Sequence, residues 1–467
     1  MLKVILLIIY IATILAVIFA ERKNPTEALF WVIVMICIPY LGVILYLVFG
    51  STTAIKLTSV LRRKKLSKRL PSAKAQQDML SGQHFSEEDL QVMQFNANYN
   101  NSPVTCYDDY RLFITGEAHY RALFKDIKEA KESIYVLFYT IHHDVMDEAL
   151  VKALTEKAKE GVTVIVMCDF IANLSTPRKM FAPLLKAGGK VIRIKPYLTH
   201  YRSHRKIVAI DHKIGYIGGM NIGKQYANLA EKKNPWRDTQ IRLTGSCVAT
   251  LDAYFMTDLL CTIRRKDWED MIKHMESIKL PQQHRTPNLC QFVVGGVDND
   301  KEAAKMNYLS MIRSAKNKIR IQSPYFIPDA SVLDALKTAA ASGVEVDLMI
   351  PGIKASFFLD PVTTYYAGQI MEFGAKVYKY HGYIHAKTMT IDDELCCIGS
   401  VNMDMRSLMV DDEICGIFYA NDLVREYINI FENDILSCDS YTYDCFLNRG
   451  KKEKFAECVF LPFTPLM

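Results

Sequence analysis

The sequence lacks the cysteine and glycine arrangements that mark several familiar sites. Its 12 cysteines are scattered and none forms a CxxC pair, which argues against a zinc site and favours reduced thiols in a reducing compartment. Pairing of some cysteines outside the cell is the alternative. No GxxxxGK[ST] loop and no aspartate-rich cluster is present, so neither a nucleotide site of that kind nor a metal site is predicted.

Strong charge of one sign is also missing. The formal net charge is +6 over 467 residues, and no strongly basic domain indicates a nucleic-acid partner. A chain of this length exceeds one ordinary hydrophobic core. We therefore expect two domains or a duplicated one.

Charge is scarcest in the first fifty residues. The runs Val4–Ala20 and Ala28–Phe49 carry none, and the charged segment Glu21–Glu27 separates them. At 1.5 Å per residue, runs of about 17 and 22 residues suit a hydrocarbon layer of about 30 Å. Residues 1–50 are therefore predicted to form a transmembrane helical hairpin. A secretory signal is disfavoured because Ile18 lies where cleavage after Ala20 requires a small residue; two buried core helices are the other alternative.

Residues 51–105 are predicted to be a basic juxtamembrane segment and a linker with at most a short helix. The run Leu61–Leu70 contains six basic residues. Positive-inside orientation places this run and the catalytic body on the cytoplasmic side of the cell membrane. The same run is also suited to binding anionic lipid headgroups.

The remaining sequence contains one pattern twice. A strand, an amphipathic helix, a Gly-Val turn and a second buried strand run through Ala130–Asp169 and again through Ala315–Pro351. This alternation predicts an α/β fold with sheets flanked by helices in each half. The repeat of about 180 residues indicates a duplicated domain with a pseudo-twofold axis, over residues 106–290 and 291–467.

Each half also contains a histidine followed by lysine and aspartate at fixed spacing. The two sets are His204, Lys206 and Asp211, and His385, Lys387 and Asp392. Residues i and i+2 of a strand point to one face, so each histidine is expected to project together with its lysine. Each aspartate is expected at the end of its strand, before a turn.

An asparagine follows each histidine by seventeen residues, at Asn221 and Asn402, after a glycine-containing turn. Together these residues suit phosphoryl transfer. One histidine can attack phosphorus while the other transfers a proton. The lysines and asparagines offer donors to the phosphate oxygens, so the positive charge is predicted to come from the lysines and not from a metal.

A nucleophilic histidine needs a carboxyl group to orient its other ring nitrogen. Two acids open apolar strand-like runs downstream of the motifs, Asp238 in WRDTQIRL and Glu413 in VDDEICGIF. They are predicted to orient the histidines. The alternative is that both form surface salt bridges.

The paired HxKxxxxD motifs, each followed by a glycine-rich turn and asparagine, resemble the phospholipase D superfamily. The apolar N-terminus and the strings HRKIVAIDHKIGYIGGMNIG, WRDTQIRLTG, SPYFIPD and HAKTMTIDDELCCIGSVNMDMRS resemble the bacterial cardiolipin synthases in particular. The resemblance implies two tandem phospholipase-D-type domains and covers nearly the whole chain. One departure is Gly219, which replaces the serine that the second half keeps at Ser400.

The resemblance implies transfer of a phosphatidyl group between two phosphatidylglycerol molecules at a bilayer, which gives cardiolipin and glycerol without a cofactor. His204 would be the nucleophile and His385 the general acid and then base, whereas Asp211 and Asp392 would mainly hold the local structure. Exclusion of water favours transfer, and Phe138–Ile141 is a candidate lining.

Other readings share these motifs. A membrane-bound phospholipase D that hydrolyses lipid, or transfers the phosphatidyl group to another alcohol, would have the same sequence features. A nuclease is disfavoured by the absence of a basic groove with interleaved aromatic residues, and a scaffold by the intact motifs. The sequence leaves the oligomeric state open.

Overall fold

The structure is a computed structural model that describes residues 2–20, 25–49, 85–195, 201–229, 235–263, 287–296, 302–354 and 356–467. The basic run Leu61–Leu70 and most of the predicted linker lie outside these residues. So does most of a short stretch, Asn228–Lys233, that separates Asp238 from the first motif.

The N-terminal region contains three helices, where the sequence predicted two. They are α1 (Leu2–Ala20), α2 (Pro25–Cys37) and α3 (Leu41–Phe49). The second apolar run is broken because Pro39 lacks an N–H group and its ring collides with the preceding helical turn, so α2 ends two residues before it. Within the described ranges, no helix combines the length and the apolar character needed to cross a membrane. The described helices therefore do not support the predicted two-span hairpin.

The body contains two large mixed sheets with the same internal order. The first sheet has the order β2-β9-β7-β6-β3-β4-β5, and the second has the order β1-β10-β19-β17-β16-β11-β13-β14-β20. In each, three neighbouring strands are parallel (β3-β4-β5 and β11-β13-β14), and the strands beyond them alternate in direction. The first-sheet strands are β2 (Tyr110–Phe113), β3 (Ser133–Phe138), β4 (Thr163–Asp169), β5 (Lys190–Ile194), β6 (Ile207–Ile210), β7 (Ile214–Gly218) and β9 (Gln240–Thr244).

The second-sheet strands are β1 (Thr105–Cys106), β10 (Leu289–Val294), β11 (Lys318–Gln322), β13 (Glu345–Pro351), β14 (Lys376–Tyr380), β16 (Thr388–Ile391), β17 (Leu395–Gly399), β19 (Ile414–Tyr419) and β20 (Cys438–Tyr441). Two short parallel pairs complete the strands: β8 (Trp236–Arg237) with β15 (Tyr383–Ile384), and β12 (Phe326–Ile327) with β18 (Met403–Asp404). The predicted α/β fold with a duplicated sheet is confirmed.

Helices cover both sheets. The first half contains α5 (Gly116–Glu129), α6 (Val145–Lys159), α7 (Ala182–Lys186) and α8 (Cys247–Thr262), with a 3-10 helix at Arg178–Phe181. The second half contains α9 (Ala303–Ser314), α10 (Ala330–Ala341), α11 (Leu359–Met371), α12 (Met405–Met409), α13 (Asp422–Ile435), α14 (Tyr443–Leu447), α15 (Lys451–Phe460) and a 3-10 helix at Leu461–Leu466. Side-chain caps begin several of them; Asp144, for example, accepts the N–H groups of the first turn of α6.

The two sheets pack face to face, and the alternation along their strands shows how. On β6, Ile207 and Ala209 point into the core shared by both sheets, whereas Val208 and Ile210 point to the helices on the outer face. On β17, Ile398 likewise faces the shared core. Helices α8 and α13 also contribute to this core. The equivalent strands that follow the two motifs are thereby brought together at the centre of the molecule.

The predicted linker contains a well-packed helix. Helix α4 (Glu87–Tyr99) begins at Ser86, whose hydroxyl accepts the N–H of Asp89. Its Val92 and Met93 are buried in the core of the second half. Helix α4 is thus part of the folded body.

The two motifs do not lie within strands as predicted. His204 and Lys206 precede β6, and His385 and Lys387 lie between β15 and β16. Hydrogen bonds to the opposite half, described below, hold this backbone instead of a sheet ladder. The motif aspartates do follow the strand ends, as the sequence predicted.

Asp211 binds the start of the neighbouring strand. Its carboxylate accepts the backbone N–H groups of Lys131, Glu132 and Ser133 at 2.7–2.9 Å. Asp392 accepts three equivalent groups ahead of β11 at 2.7–2.9 Å. Both residues have a positive φ, 51° and 49°, which Asp and Asn tolerate better than most residues. Each lies about 20 Å along an extended chain from its motif histidine, so the structure does not bring either aspartate to the histidines.

Replacement of Asp211 by alanine is expected to destabilise the fold. It removes a charged acceptor of three backbone N–H groups and adds strain at a positive φ, for a loss of roughly 2–4 kcal/mol. Asp211→Asn is the matched control, because it keeps one carbonyl oxygen and tolerates the same φ. Thermal unfolding followed by circular dichroism measures both. An unchanged Tm with lost catalytic activity would contradict the structural role.

Candidate active site

His204 is held by the opposite half of the chain. Its backbone N–H donates to the carbonyl of Asp412 at 2.8 Å, and the preceding Ser203 forms a parallel bridge with Asp412. The His204 ring places Nδ1 2.7 Å from Oε1 of Glu413. The next residue, Arg205, is fully buried and donates to both carboxylate oxygens of Asp258 and to the carbonyl of Glu413. His204 is thus fixed at the backbone and at the ring.

His385 repeats this geometry in reverse. Its backbone N–H donates to the carbonyl of Arg237 at 2.7 Å, and its Nδ1 lies 2.6 Å from Oδ2 of Asp238. The short pairing of β8 with β15 ends at these residues and sets their register. In both cases the histidine binds the carbonyl of the residue just before the acid and then the acid itself. The two predicted carboxyl groups therefore contact the histidines, each across the boundary between the halves.

The pairing of each histidine with a carboxyl group of the other half decides which ring nitrogen faces the site. A bond between Nδ1 and a carboxyl group commits that nitrogen to the carboxyl side and leaves Nε2 for other chemistry. Burial lowers the pKa of His204 well below its usual value, and the charges of Lys206 and Lys387 lower it further. Burial and Lys387 likewise lower the pKa of His385 to about 4, although Asp238 opposes them. These shifts favour the neutral form of both imidazoles, which is the form that a nucleophile requires.

Both motif lysines lie beside their histidines. Lys206 donates to the carbonyl of His204 at 2.6 Å, and Lys387 donates to the carbonyl of His385 and lies 2.8 Å from its Nδ1. Burial lowers the pKa of Lys206 to about 7 and that of Lys387 to about 8, although nearby carboxyl groups oppose the change. An anionic ligand would stabilise the charged form of both lysines.

The two carboxyl groups have different surroundings. Glu413 accepts the hydroxyl of Ser400 at 2.5 Å through Oε2, and burial raises its pKa to about 8 even though Lys206 lowers it. Burial also raises the pKa of Asp238, but Lys387 and His385 outweigh this effect and leave it below its usual value. Gly219 occupies the position equivalent to Ser400, and a Cβ there would collide with the Asp238 carboxylate. The absence of any side chain at Gly219 therefore leaves room for the Asp238 carboxylate.

The asparagines sit close to this centre with different partners. Asn221 donates to the hydroxyl of Tyr226 at 3.0 Å, and the Tyr226 ring lies 5.7 Å from the His385 ring. Asn402 is buried, and its amide oxygen accepts no hydrogen bond from the described residues. Asn402 thus retains unused hydrogen-bonding capacity.

Aromatic rings that the sequence reasoning mostly missed surround the histidines. Tyr139 lies 4.7 Å from the His204 ring, within the stretch proposed to line the site, while the adjacent Phe138 is plain core. Trp236 and Tyr383 lie 5.3 and 5.8 Å from the His385 ring. Trp236 precedes Asp238 by two residues in the chain, and Arg205 lies between His204 and Lys206. Proximity in the chain to predicted site residues is the sequence feature that could have identified both.

Paired His-x-Lys motifs at the junction of two equivalent mixed sheets define a protein of the phospholipase D class. A family model described as "Cardiolipin synthase, PLD-like domain" matches residues 123–234 and 308–435. A second model, of a phospholipase D-nuclease N-terminal region, matches residues 8–51. Phosphatidylserine synthase from Haemophilus influenzae Rd KW20 superposes with a TM-score of 0.62 at 14% identity, over 81% of this chain and 100% of that one, and so shares the fold.

Curated relatives narrow the class. The chain is 32% identical to a cardiolipin synthase of Listeria monocytogenes serotype 4b (strain CLIP80459), over 100% of this chain and 99% of that protein. It is 34% identical to the major cardiolipin synthase of Bacillus subtilis (strain 168), over 98% of each. The chain therefore belongs to the bacterial cardiolipin synthase family of the phospholipase D superfamily.

A double-mutant cycle on stability tests the exchange of carboxyl groups between halves. His204→Ala combined with Glu413→Gln is expected to show a coupling of about 1–3 kcal/mol, because the two side chains share a buried hydrogen bond. His385→Ala with Asp238→Asn should show the same. The matched control, His204→Ala with Asp238→Asn, pairs the residues within one half and should couple much less. Stronger coupling within the halves than between them would overturn this assignment.

Proposed function

We propose that this protein is a phosphatidyltransferase that makes cardiolipin and glycerol from two phosphatidylglycerol molecules through a phosphohistidine intermediate. The observation that carries the proposal is the pair of buried imidazoles, each bonded through Nδ1 to a carboxyl group. Membership of the cardiolipin synthase family supports the choice of lipid.

In the first step, Nε2 of His204 attacks the phosphorus of one phosphatidylglycerol. Binding of the phosphodiester anion beside His385 favours the protonated imidazole, in which Nε2 also carries a proton. The bond between phosphorus and the headgroup glycerol oxygen breaks as Nε2 of His385 gives that oxygen this proton. Glycerol leaves, and the phosphatidyl group remains on His204. The resemblance to the family supports this order of the two histidines.

In the second step, a hydroxyl of a second phosphatidylglycerol loses its proton to His385. Its oxygen attacks phosphorus, the bond to His204 breaks, and cardiolipin is released. His385 is thereby protonated again, as it was before the attack by His204. The same group therefore acts as acid and then as base.

Lys206, Lys387, Asn221 and Asn402 are proposed to bind the non-bridging phosphate oxygens. The charge on these oxygens is stabilised best by donors already in place within a buried site. The lowered lysine pKa values fit this role, because burial disfavours both ammonium groups while no anion is bound, and the charge of Lys387 lowers the pKa of Lys206 further.

We further propose that α1–α3 attach the protein to the bilayer that contains its substrate. These helices share a small core of Val17, Trp31, Met35 and Tyr46. On their outer faces, large apolar side chains such as Leu15 and Phe19 remain exposed. Contact with lipid would bury them.

Loss of either histidine is expected to abolish product formation. With labelled phosphatidylglycerol in vesicles, the native protein should release cardiolipin and glycerol in equal amounts. His204→Ala and His385→Ala should each reduce the rate by at least about a thousandfold, since each removes a group that takes part in bond formation or proton transfer. His381→Ala is the matched control, because this exposed histidine bonds Asp439 at the surface.

Acid-free trapping with labelled lipid, followed by peptide mass spectrometry, identifies the histidine that carries the intermediate. Label on His204 is expected, and label on His385 would reverse the two roles. Full activity in either alanine variant would contradict the two-histidine mechanism. Phosphatidic acid without cardiolipin would make the protein a hydrolase with the same site.

The lysine pKa values predict a pH-dependent affinity for phosphodiesters. Both lysines are charged at low pH and lose their protons as the pH rises through about 7 for Lys206 and about 8 for Lys387. Inhibition by glycerophosphoglycerol, whose phosphodiester charge is constant in this range, should weaken by about tenfold or more between pH 6 and pH 9.5. Lys206→Arg is the matched control, because arginine keeps its charge and should flatten the profile. The same pH dependence in that variant would exclude Lys206 as the cause.

A further inference from the structure

Helix α15, the 3-10 helix after it and the loop before α11 present large apolar side chains to solvent. Phe357 and Phe455 are 76% and 71% exposed, and Phe358, Val459 and Phe463 are exposed as well. We call these five residues the C-terminal aromatic patch. Most apolar side chains in the body are buried, so a group of exposed rings on one surface points to a binding surface.

The patch belongs to a firmly packed element. Helix α15 lies against α11 on one side, and its buried Glu457 forms a two-bond ion pair with Arg449 at 2.6 and 2.7 Å. The ring of Phe460 contacts those of Phe357 and Phe358 edge to face at 5.4 and 5.7 Å. The exposed rings are therefore held in place by structure beneath them.

Basic side chains flank the patch. Lys451 and Lys452 are exposed in the first turn of α15, one turn before Phe455 on the same side, and Lys354 is exposed in the loop before Phe357. Exposed aromatic and aliphatic residues next to lysines are typical of a helix that lies in a bilayer interface. The lysines suit the anionic headgroups of such a surface.

Packing and hydrogen bonds connect both ends of the patch with residues beside the histidines. Helix α11, which begins at the residue after Phe358, packs on β12. Tyr325, just before β12, accepts the hydroxyl of Tyr383 at 3.0 Å, and the Tyr383 ring stacks on His385 at 5.8 Å. At the other end, the 3-10 helix packs on α12, where the backbone N–H of Arg406 donates to the carbonyl of Met467 at 3.1 Å. Arg406 also pairs with Asp411 at 2.8 Å, and Asp411 accepts the backbone N–H of Arg202, two residues before His204, at 3.2 Å.

We propose that the C-terminal aromatic patch docks on an anionic bilayer and holds the paired histidines at the lipid surface. This inference rests on the proposed function, because it supposes a lipid substrate. It adds a second attachment point, separate from α1–α3, that orients the body relative to the membrane.

A fluorescence experiment on the full chain tests docking without any assay of activity. In a Cys37→Ser, Cys445→Ser variant, the exposed Cys458 of α15 is labelled with an environment-sensitive fluorophore. In phosphatidylglycerol–phosphatidylcholine vesicles, spin-labelled lipid should quench at least about half of its emission, since the label lies beside a face that enters the interface. A label at Glu129→Cys, with Cys458→Ser, is the matched control, because that exposed residue lies near the Asp211 end of the first half.

Two results would overturn docking. If aqueous iodide quenches the label at Cys458 as strongly as it quenches the label at the Glu129 position, the patch stays in water. Shielding from both quenchers, with an increase in molecular mass on size-exclusion chromatography, would show instead that the patch binds a second copy of the chain.

An activity measurement then separates docking from chemistry. Phe357→Ser combined with Phe455→Ser should lower the rate on anionic vesicles by about tenfold. The rate on a short-chain phosphatidylglycerol dispersed as monomers should be unchanged, because that substrate reaches the site without a surface. An unchanged vesicle rate would overturn the inference. Quenching of the label in a protein that makes no cardiolipin would instead support docking and refute the proposed function.

Discussion

Each motif histidine depends on the other half of the chain. His204 and His385 lie in backbone that no sheet ladder holds, and each is fixed by a carbonyl and a carboxyl group from across the boundary. This arrangement is possible only because the sheets pack face to face through β6, β7 and β17, which brings the ends of equivalent strands together. The face-to-face packing of the sheets and the geometry of the site are therefore one constraint.

Duplication gave the two halves the same frame, but their details have diverged in a coordinated way. The longer acid, Glu413, is accompanied by the hydroxyl of Ser400, and the shorter acid, Asp238, is accompanied by Gly219. In each case the space and the hydrogen-bonding capacity match. The result is two pairs with similar geometry and opposite shifts in carboxyl pKa, which suits two histidines with different tasks.

The sequence predicted the features that repetition makes visible. The duplicated α/β pattern, the equivalent motifs and the position of each aspartate after a strand could all be read from spacing, because both copies keep the same offsets. The exchange of Asp238 and Glu413 could not, since an acid downstream of each motif is equally compatible with pairing inside one half. Pairing across the halves depends on how the sheets pack, and spacing along the chain carries no information on that.

Three local differences between prediction and structure have physical causes that are present in the sequence. The composition of the second apolar run predicts one helix, but Pro39 lacks an N–H group and divides the run into α2 and α3. The segment before the first domain was read as a linker, although Ser86 followed by three acidic residues is a helix start. The motif residues alternate with apolar residues, and this pattern predicts strands. Hydrogen bonds to the other half of the chain hold an extended segment of this kind equally well, without a sheet ladder.

The exchange of carboxyl groups has a consequence for how activity can be lost or inherited. A chain that stops before Glu413 has a complete first motif but no partner for its histidine, so partial synthesis gives no partial enzyme. The two halves must also change together. A substitution of Glu413 in the second half removes the partner of His204 in the first, and a substitution of Asp238 in the first half removes the partner of His385 in the second. Selection therefore acts on the halves as a single unit, even though they fold around separate sheets.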